Sequence, residues 1–332
     1  MQPIDWIYRA ARQHRDAIAV EAPGASVTFV EIVRRVDAFA AAIQAMEPRP
    51  RMRIGVCAHN SVEHVIAILA IMASGNIWVP LNPRDARAEL EAKIAITQPP
   101  LIIVDEDCLA LVENAGARLI VGKSGNDSAS AMELLIAGAS GKRPRRVEGE
   151  GTHTQAVKFT GGSSGMPKGV MQPYRAWIAG AINMLQAFRF DASDRFLLAA
   201  PLTHGTSCYL TPVLAAGGTL VLLGDRTTPE GILDAFVHRR ISATFLPPTL
   251  IYMLMELVEG KRKVFESLRL LIYGAAPMPA DRVREAQALF GSVVAANYGL
   301  TEAPQVITAL TPDDATGERA ASAGRAGLMT RV

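Results

Sequence analysis

Apolar runs of four to six residues alternate along the chain with longer stretches whose apolar positions recur at helical spacing. The short runs predict strands over 53–58, 77–80, 101–104, 119–121, 156–159, 195–199, 219–223, 243–246, 268–273 and 293–296. The longer stretches predict helices over 28–45, 61–73, 88–97, 176–188, 229–239, 249–258 and 279–290, the last opened by Pro279 in a first-turn position. Such alternation is the signature of an α/β fold, with helices layered around mostly parallel sheets. Residues 124–151 interrupt it with Gly, Ser, Lys and Arg around Lys142-Arg143-Pro144-Arg145-Arg146, which reads as a solvated linker, with a basic patch for phosphates or a membrane surface as the alternative. No repeat recurs at a period of about 20 to 50 residues.

Composition narrows the class. A chain of 332 residues that is 49% hydrophobic and 20% charged, with a net charge of +2, is neither disordered nor a basic polyanion-binding module. Its length suits roughly two folding units. The apolar run 62–73 is broken by Glu63 and His64 and ends at Ser74-Gly75, short of the ~18 apolar residues a bilayer span needs. The start, Met-Gln-Pro-Ile-Asp-Trp, lacks the pattern of a signal peptide, and three scattered cysteines (Cys57, Cys108, Cys208) argue against a disulfide framework. A soluble, cytoplasmic protein is expected, without a nucleic-acid partner or a membrane span; oligomeric state is open, with a homodimer as one possibility.

Directly after the strand at 156–159 comes Thr160-Gly161-Gly162-Ser163-Ser164-Gly165-Met166-Pro167-Lys168-Gly169. Glycines let a chain turn its amides inward, the hydroxyls of Thr160, Ser163 and Ser164 add donors, and Lys168 brings positive charge, so the string suits a polyphosphate. It is not a Walker A loop, because Lys168 stands between Pro167 and Gly169 and cannot open a helix. From Thr160 through Val170 it resembles the phosphate-binding signature of the adenylate-forming superfamily, which includes acyl-CoA synthetases, luciferases and peptide-synthetase adenylation domains. Pro173-Tyr174 stands where that family commonly has Thr-His.

Three later strings resemble the same family in the same order. Pro201-Leu202-Thr203-His204-Gly205 is similar to its Pro-Leu-x-His segment, which implies that His204 stands at the mouth of a carboxylate pocket and orients the acid. Tyr273-Gly274-Ala275-Ala276-Pro277 is similar to its adenine-binding turn, where small residues leave a flat slot. Asn297-Tyr298-Gly299-Leu300-Thr301-Glu302 is similar to its Tyr-Gly-x-Thr-Glu string. There the resemblance implies Tyr298 on adenine, Thr301 on the α-phosphate and Glu302 on Mg²⁺, while Asn297 would bond the adenine amino group.

The resemblance extends from about residue 28 to 332 and implies an acyl-CoA synthetase-like large domain. Two αβα subdomains are expected: residues 1–56 with 190–310 carrying the adenine and acid pocket, and 57–189 carrying the phosphate loop. Residues 311–332 would begin a third, β-barrel subdomain, and neither the rest of it nor the small C-terminal domain of that family is found, so the chain reads as an N-terminal portion with impaired turnover. The implied activity is ATP-dependent activation of a carboxylic acid, fatty or aromatic, to an acyl-adenylate, followed by thioester formation with coenzyme A. Nucleotide or acid binding without catalysis, and amino-acid activation, are the alternatives; residues 202–209 hold no acidic side chain to pair with an amino acid's ammonium. The implied catalytic residues are Lys168, His204, Thr301 and Glu302. The implied nucleotide contacts are Thr160, Gly161 to Gly165, Lys168, Gly274 to Ala276, Asn297, Tyr298, Gly299 and Thr301. Cys208, Tyr209 and Tyr273 join His204 in the expected acid pocket.

Overall fold

The computed structural model describes residues 1–125, 129–160, 167–224, 227–258 and 265–332. The strands in chain order are β1 (Ile18–Ala22), β2 (Ala25–Thr28), β3 (Arg53–Cys57), β4 (Ile77–Leu81), β5 (Leu101–Val104), β6 (Arg118–Val121), β7 (Thr154–Thr160) and β8 (Lys168–Pro173). They continue with β9 (Arg195–Leu197), β10 (Thr219–Val221), β11 (Ala243–Leu246), β12 (Leu270–Tyr273), β13 (Val294–Tyr298), β14 (Thr308–Leu310) and β15 (Arg325–Ala326). Two units divide the chain, one of residues 1–17 and 27–177 and the other of 18–26 and 178–332.

The first unit holds a six-stranded sheet of order β6-β5-β3-β4-β7-β8, parallel from β6 to β7 and closed by the antiparallel hairpin β7–β8. The second holds a nine-stranded sheet of order β15-β14-β13-β12-β11-β9-β10-β1-β2, in which β1 and β9 to β13 are parallel and β14 and β15 antiparallel. The expected α/β architecture with two parallel-rich sheets is therefore present. Strands that are apolar along their whole length, such as Leu101–Val104 and Leu270–Tyr273, are buried throughout, as strands covered by helices on both faces must be.

Helix starts follow local chemistry. Thr28, Ser61, Ser130 and Thr228 each accept a hydrogen bond from the backbone N–H three residues on, at 3.3, 3.1, 3.2 and 3.1 Å, ahead of helices Phe29–Met46, Val62–Ala73, Ala131–Gly138 and Pro229–His238. Pro279 precedes its helix, Ala280–Phe290, as the N-cap, one position before the expected first turn.

The expected domain boundaries differ from the observed units. Helices Pro3–Gln13 and Phe29–Met46 belong to the unit of the six-stranded sheet, and only β1 and β2 depart from residues 1–56 to the other sheet. Residues 311–332 are part of the second unit: β15 adds to the sheet edge, pairing with β14. Gly324 (φ +83°) lets this return pass close, since a Cβ there would stand 2.0 Å from the carbonyl oxygen of Ala309.

The stretch expected as a solvated linker, 124–151, holds a helix, Ala131–Gly138, whereas its residues from 141 on are mostly exposed and carry neither helix nor strand. Met132 and Ile136, one helical turn apart, are buried on helix Ala131–Gly138, and Arg35 of helix Phe29–Met46 pairs with Glu133. Beyond it, Gln44 Oε1 accepts from the Arg145 N–H at 2.7 Å, Arg146 binds Asp5 at 2.9 and 3.2 Å, and Gln2 Nε2 donates to the Val147 carbonyl at 2.6 Å. Val147 crosses Gly75 so closely that a Cβ there would lie 2.4 Å away. Among the described residues no helix is long and apolar enough to cross a membrane.

Candidate functional site

In the second unit β12 and β13 run parallel with Tyr273 opposite Ala296, so the turn at Gly274-Ala275 emerges beside Asn297-Tyr298. Between them lies a cavity of ≈ 390 Å³ walled by Tyr273, Ala275, Ala276, Asn297, Tyr298 and Gly299, among others. Six residues named from sequence thus share one pocket. Gly274 is required there: a Cβ would come within 2.8 Å of Asn297 Oδ1, 2.9 Å of its carbonyl oxygen and 2.9 Å of the Phe245 ring. Ala275 follows in the left-handed region at φ +68°, a conformation a side chain adopts at a cost of about 1 kcal/mol or more. Gly299 is held more tightly still, a Cβ meeting the Gln305 carbonyl oxygen at 2.3 Å.

Asn297 is buried and its amide is fixed at both ends. Nδ2 donates to the Gln305 carbonyl at 2.6 Å, and Oδ1 accepts from the Tyr209 hydroxyl at 3.1 Å. Tyr209 has no exposed surface; its ring stacks on Phe196 (4.8 Å between centroids) and on Phe245 (5.3 Å). Burial pushes its phenol well above the ordinary range, a hydrogen bond with Gln305 pulling the other way, so it remains a neutral donor. Tyr209 was expected to add bulk to an acid pocket. Its place between two phenylalanine rings makes it part of the core, acting on the site through Asn297. Tyr209→Phe should retain the ring stack and lower nucleotide affinity about 3- to 10-fold, a loss of roughly 1 kcal/mol read by calorimetric titration with AMP. An unchanged affinity would show that Asn297 needs no such support.

Tyr273 and Cys208 are also buried, and burial raises the Tyr273 phenol. Tyr298 is 47% exposed at the pocket wall, Thr301 is half-buried and Glu302 is exposed. His204 is exposed too. It precedes the 3₁₀ turn Gly205–Tyr209, its Nδ1 3.0 Å from Thr203 Oγ1 and its carbonyl accepting from Ser207 Oγ at 2.9 Å. The segment carrying it follows β9, the strand flanked by β10 and β11, where the chain's path through the parallel sheet reverses. Ligands of open α/β sheets bind outside the carboxyl ends of strands at such a switch point.

In the first unit Thr160 and Lys168 pair in register as the last residue of β7 and the first of β8, with Lys168 exposed. Gly161, Gly162, Ser163, Ser164 and Gly165, the other expected phosphate contacts, lie outside the described residues.

Gln305 was not anticipated from sequence. Its backbone sits at φ +71°, its carbonyl receives Asn297, and its side-chain oxygen closes on Gly205, where a Cβ would stand 2.6 Å away. Only the pair Pro304-Gln305 hinted at a turn, and nothing local marked it as a support.

In the pocket, a Gly274→Ala substitution pushes a methyl group against backbone and amide atoms that are themselves tethered. AMP and ATP affinities should fall together by about 10-fold or more, as expected for a strained, displaced wall costing about 1–3 kcal/mol; calorimetry with both nucleotides checks it, and unaltered affinity for either would contradict it.

The profile of the family described as AMP-binding enzyme matches residues 7–332. The chain is 27% identical to a medium/long-chain-fatty-acid–CoA ligase of Mycobacterium tuberculosis, over 97% of this chain and 58% of that protein. To an indoleacetate–CoA ligase of Aromatoleum aromaticum it is 26% identical, over 98% of this chain and 65% of that one. The fold is similar to that of ATP-bound MatB from Rhodopseudomonas palustris, with a TM-score of 0.85 and 24% identity, covering 98% of this chain and 65% of the other. The chain thus spans about three-fifths of the length of these relatives.

Proposed function

Since the chain belongs to the AMP-binding enzyme family, we propose that it carries the nucleotide- and acid-binding part of an acid–CoA ligase, which activates a carboxylate with ATP and passes the acyl group to coenzyme A. The supporting observation is the pocket at the ends of β12 and β13, where Gly274 leaves a flat approach beside the anchored Asn297 amide and the exposed Tyr298 ring. Adenine takes that slot, its amino group donating to a lone pair on Asn297 Oδ1 and its face resting on Tyr298.

In the first step a carboxylate oxygen attacks the α-phosphorus of ATP, the bond to the β-phosphate oxygen breaks, and pyrophosphate leaves. Negative charge accumulates on the phosphates, and Lys168 and the Thr301 hydroxyl offset it. His204 orients the acid. Glu302 is an exposed carboxylate, the hard oxygen donor that Mg²⁺ prefers, and would hold that ion, whose charge screens the departing pyrophosphate. The thiol of coenzyme A then attacks the acyl carbon and releases AMP. A fatty or aromatic acid suits a segment at 202–209 without a carboxylate, where an amino acid's ammonium would lack its counter-charge.

Calorimetric titration with AMP and ATP, together with acid-dependent ATP–pyrophosphate exchange across a panel of fatty, aryl and amino acids, tests the reading. Micromolar nucleotide binding and weak exchange driven by a fatty or aryl acid are expected of a chain with impaired turnover. Absence of nucleotide binding would overturn it, and exchange driven by amino acids alone would overturn the assigned acid class.

A further inference from the structure

The six-stranded sheet has a switch point of its own. β3 lies between β4 and β5, so the chain steps from β3 to one neighbour and then returns to the other side of the same strand. Cys57 at the end of β3 pairs in register with Val104 at the end of β5, and the residues that follow both strands emerge side by side. They are His59 on one segment and Asp105, Asp107 and Cys108 on the other. None of them belongs to the strings associated with nucleotide or acid.

Their donor atoms converge. His59 Nδ1 lies 3.7 Å from Asp105 Oδ2, 3.6 Å from Asp107 Oδ2 and 3.6 Å from Cys108 Sγ, while Sγ lies 3.4 Å from Asp107 Oδ1. One ligand atom from each of the four falls within 4.8 Å of all the others. A histidine between two carboxylates ordinarily draws one of them to about 2.8 Å. Here both stand back by a similar amount. Ligands at about 2.0–2.3 Å from a tetrahedral ion are separated from one another by roughly 3.3–3.7 Å, the range in which His59 Nδ1 stands from its three neighbours.

The supports around the donors are those of a fixed site. The His59 backbone N–H donates to Asp105 Oδ2 at 2.8 Å, and the Cys108 N–H to the Asp105 carbonyl at 2.9 Å. Glu106, which points away from the cluster's chemistry, anchors the loop by accepting from Ser124 Oγ at 2.8 Å and the Gly125 N–H at 2.6 Å. Buried His64 places its Nδ1 3.0 Å from the His59 carbonyl. Asp105 and Cys108 are buried and form a floor, whereas His59 and Asp107 reach solvent and form a rim through which an ion can enter. Lys123 and Glu63 also act electrostatically on Asp105, and Arg35 stands 3.9 Å from Glu63.

We propose that His59, Asp105, Asp107 and Cys108 form a binding site for a divalent metal of the zinc class, which clamps the ends of β3 and β5. One imidazole nitrogen, one thiolate and two carboxylate oxygens make a donor set that favours Zn²⁺ or Co²⁺ over Mg²⁺ or Ca²⁺. Four protein ligands complete a tetrahedron and leave no open position for substrate, so the ion's role is structural. Binding displaces the Cys108 thiol proton to solvent.

The probe is Co²⁺, followed by Zn²⁺ competition, on chelator-treated protein kept under a thiol-free reductant. One equivalent of Co²⁺ should produce the thiolate-to-metal charge-transfer band and intense visible bands of a tetrahedral site, and Zn²⁺ should bleach them. Cys108→Ser should abolish the charge-transfer band, and Cys208→Ser should retain it. Because Cys108 is buried, the rim variants His59→Ala and Asp107→Ala provide the second readout: each should keep the fold by circular dichroism and weaken Zn²⁺ binding by about 10-fold or more. Absence of a cobalt spectrum, octahedral pale bands alone, or Zn²⁺ affinity unchanged in both rim variants would overturn the site. Nucleotide binding plays no part in any of these readouts, so the metal site stands or falls independently.

Discussion

Asp194→Ala should destabilise the nine-stranded unit by about 3 kcal/mol, the largest stability loss expected from a single substitution away from the pocket. The Asp194 side chain has no exposed surface. Its Oδ1 accepts from Arg269 Nε at 2.8 Å and from Ser242 Oγ at 2.6 Å, and its Oδ2 from Arg269 Nη2 and from the Asp191 N–H at 2.9 Å. Arg269 in turn donates to the carbonyls of Phe188 and Arg189 at 3.0 and 3.2 Å. One carboxylate therefore ties the entry to β9 to residues just before β11 and β12. Truncation leaves a guanidinium and a hydroxyl without their acceptor, although the Arg269 side chain is 38% exposed and water recovers part of the loss. For a unit of this size Tm should fall by about 6–12 °C. Asp194→Asn, which retains shape and loses charge, should fall between wild type and Ala. Thermal and urea unfolding measure both; a loss under about 1 kcal/mol in the Ala variant would show that the network contributes little.

Lys168→Ala should lower acid-dependent ATP–pyrophosphate exchange by about 10²–10³-fold, as removal of one charge-stabilising group from a phosphoryl site does. The expected signature is selective. ATP affinity should drop about 10-fold while AMP affinity stays within error, the outcome expected of a lysine proposed to serve the β- and γ-phosphates that AMP lacks. Lys168→Arg should restore part of the ATP affinity, since it keeps the charge on a bulkier fork. Gly274→Ala, by contrast, weakens both nucleotides alike, so the pair of variants separates the phosphate role from the adenine role. Equal losses for AMP and ATP in Lys168→Ala would remove the lysine from phosphate binding and leave it a solvent-exposed hairpin residue.

Much of this architecture was legible in the residues. The uniformly apolar run 101–104 became a strand at the expected position because a two-sided burial requirement is written into every residue. The strands that escaped notice obey other pressures. β8, Lys168–Pro173, is mostly exposed and pairs as the return arm of a hairpin, and β15 is two residues at a sheet edge. Helix Ala131–Gly138 escaped because its apolar stretch is only eight residues long and stands between Ser/Gly-rich and Lys/Arg-rich flanks that dominate the pattern. At the pocket, Gly274, Asn297 and Tyr298 stood out because they lie in short strings that resemble those of the adenylate-forming family. Gln305 did not, and Tyr209 was expected in a different role, as bulk in an acid pocket, since the value of both comes from Phe196, Phe245 and Asn297 arriving from distant strands. No local pattern encodes such a meeting.

The crossing of Val147 over Gly75, with Arg146 on Asp5, has a consequence for how the chain matures during synthesis. Helix Pro3–Gln13 precedes these polar partners by some 140 residues, and β1 precedes β10, where Val20 meets Leu220, by longer still. The helix also touches helices Phe29–Met46 and Val62–Ala73, which are made soon after it, so its apolar side, with Ile4, Trp6 and Ile7, finds cover early. The late arrival of 145–148 then adds a polar latch to helices already docked, and a slowed ribosome would delay the latch rather than bare the apolar side.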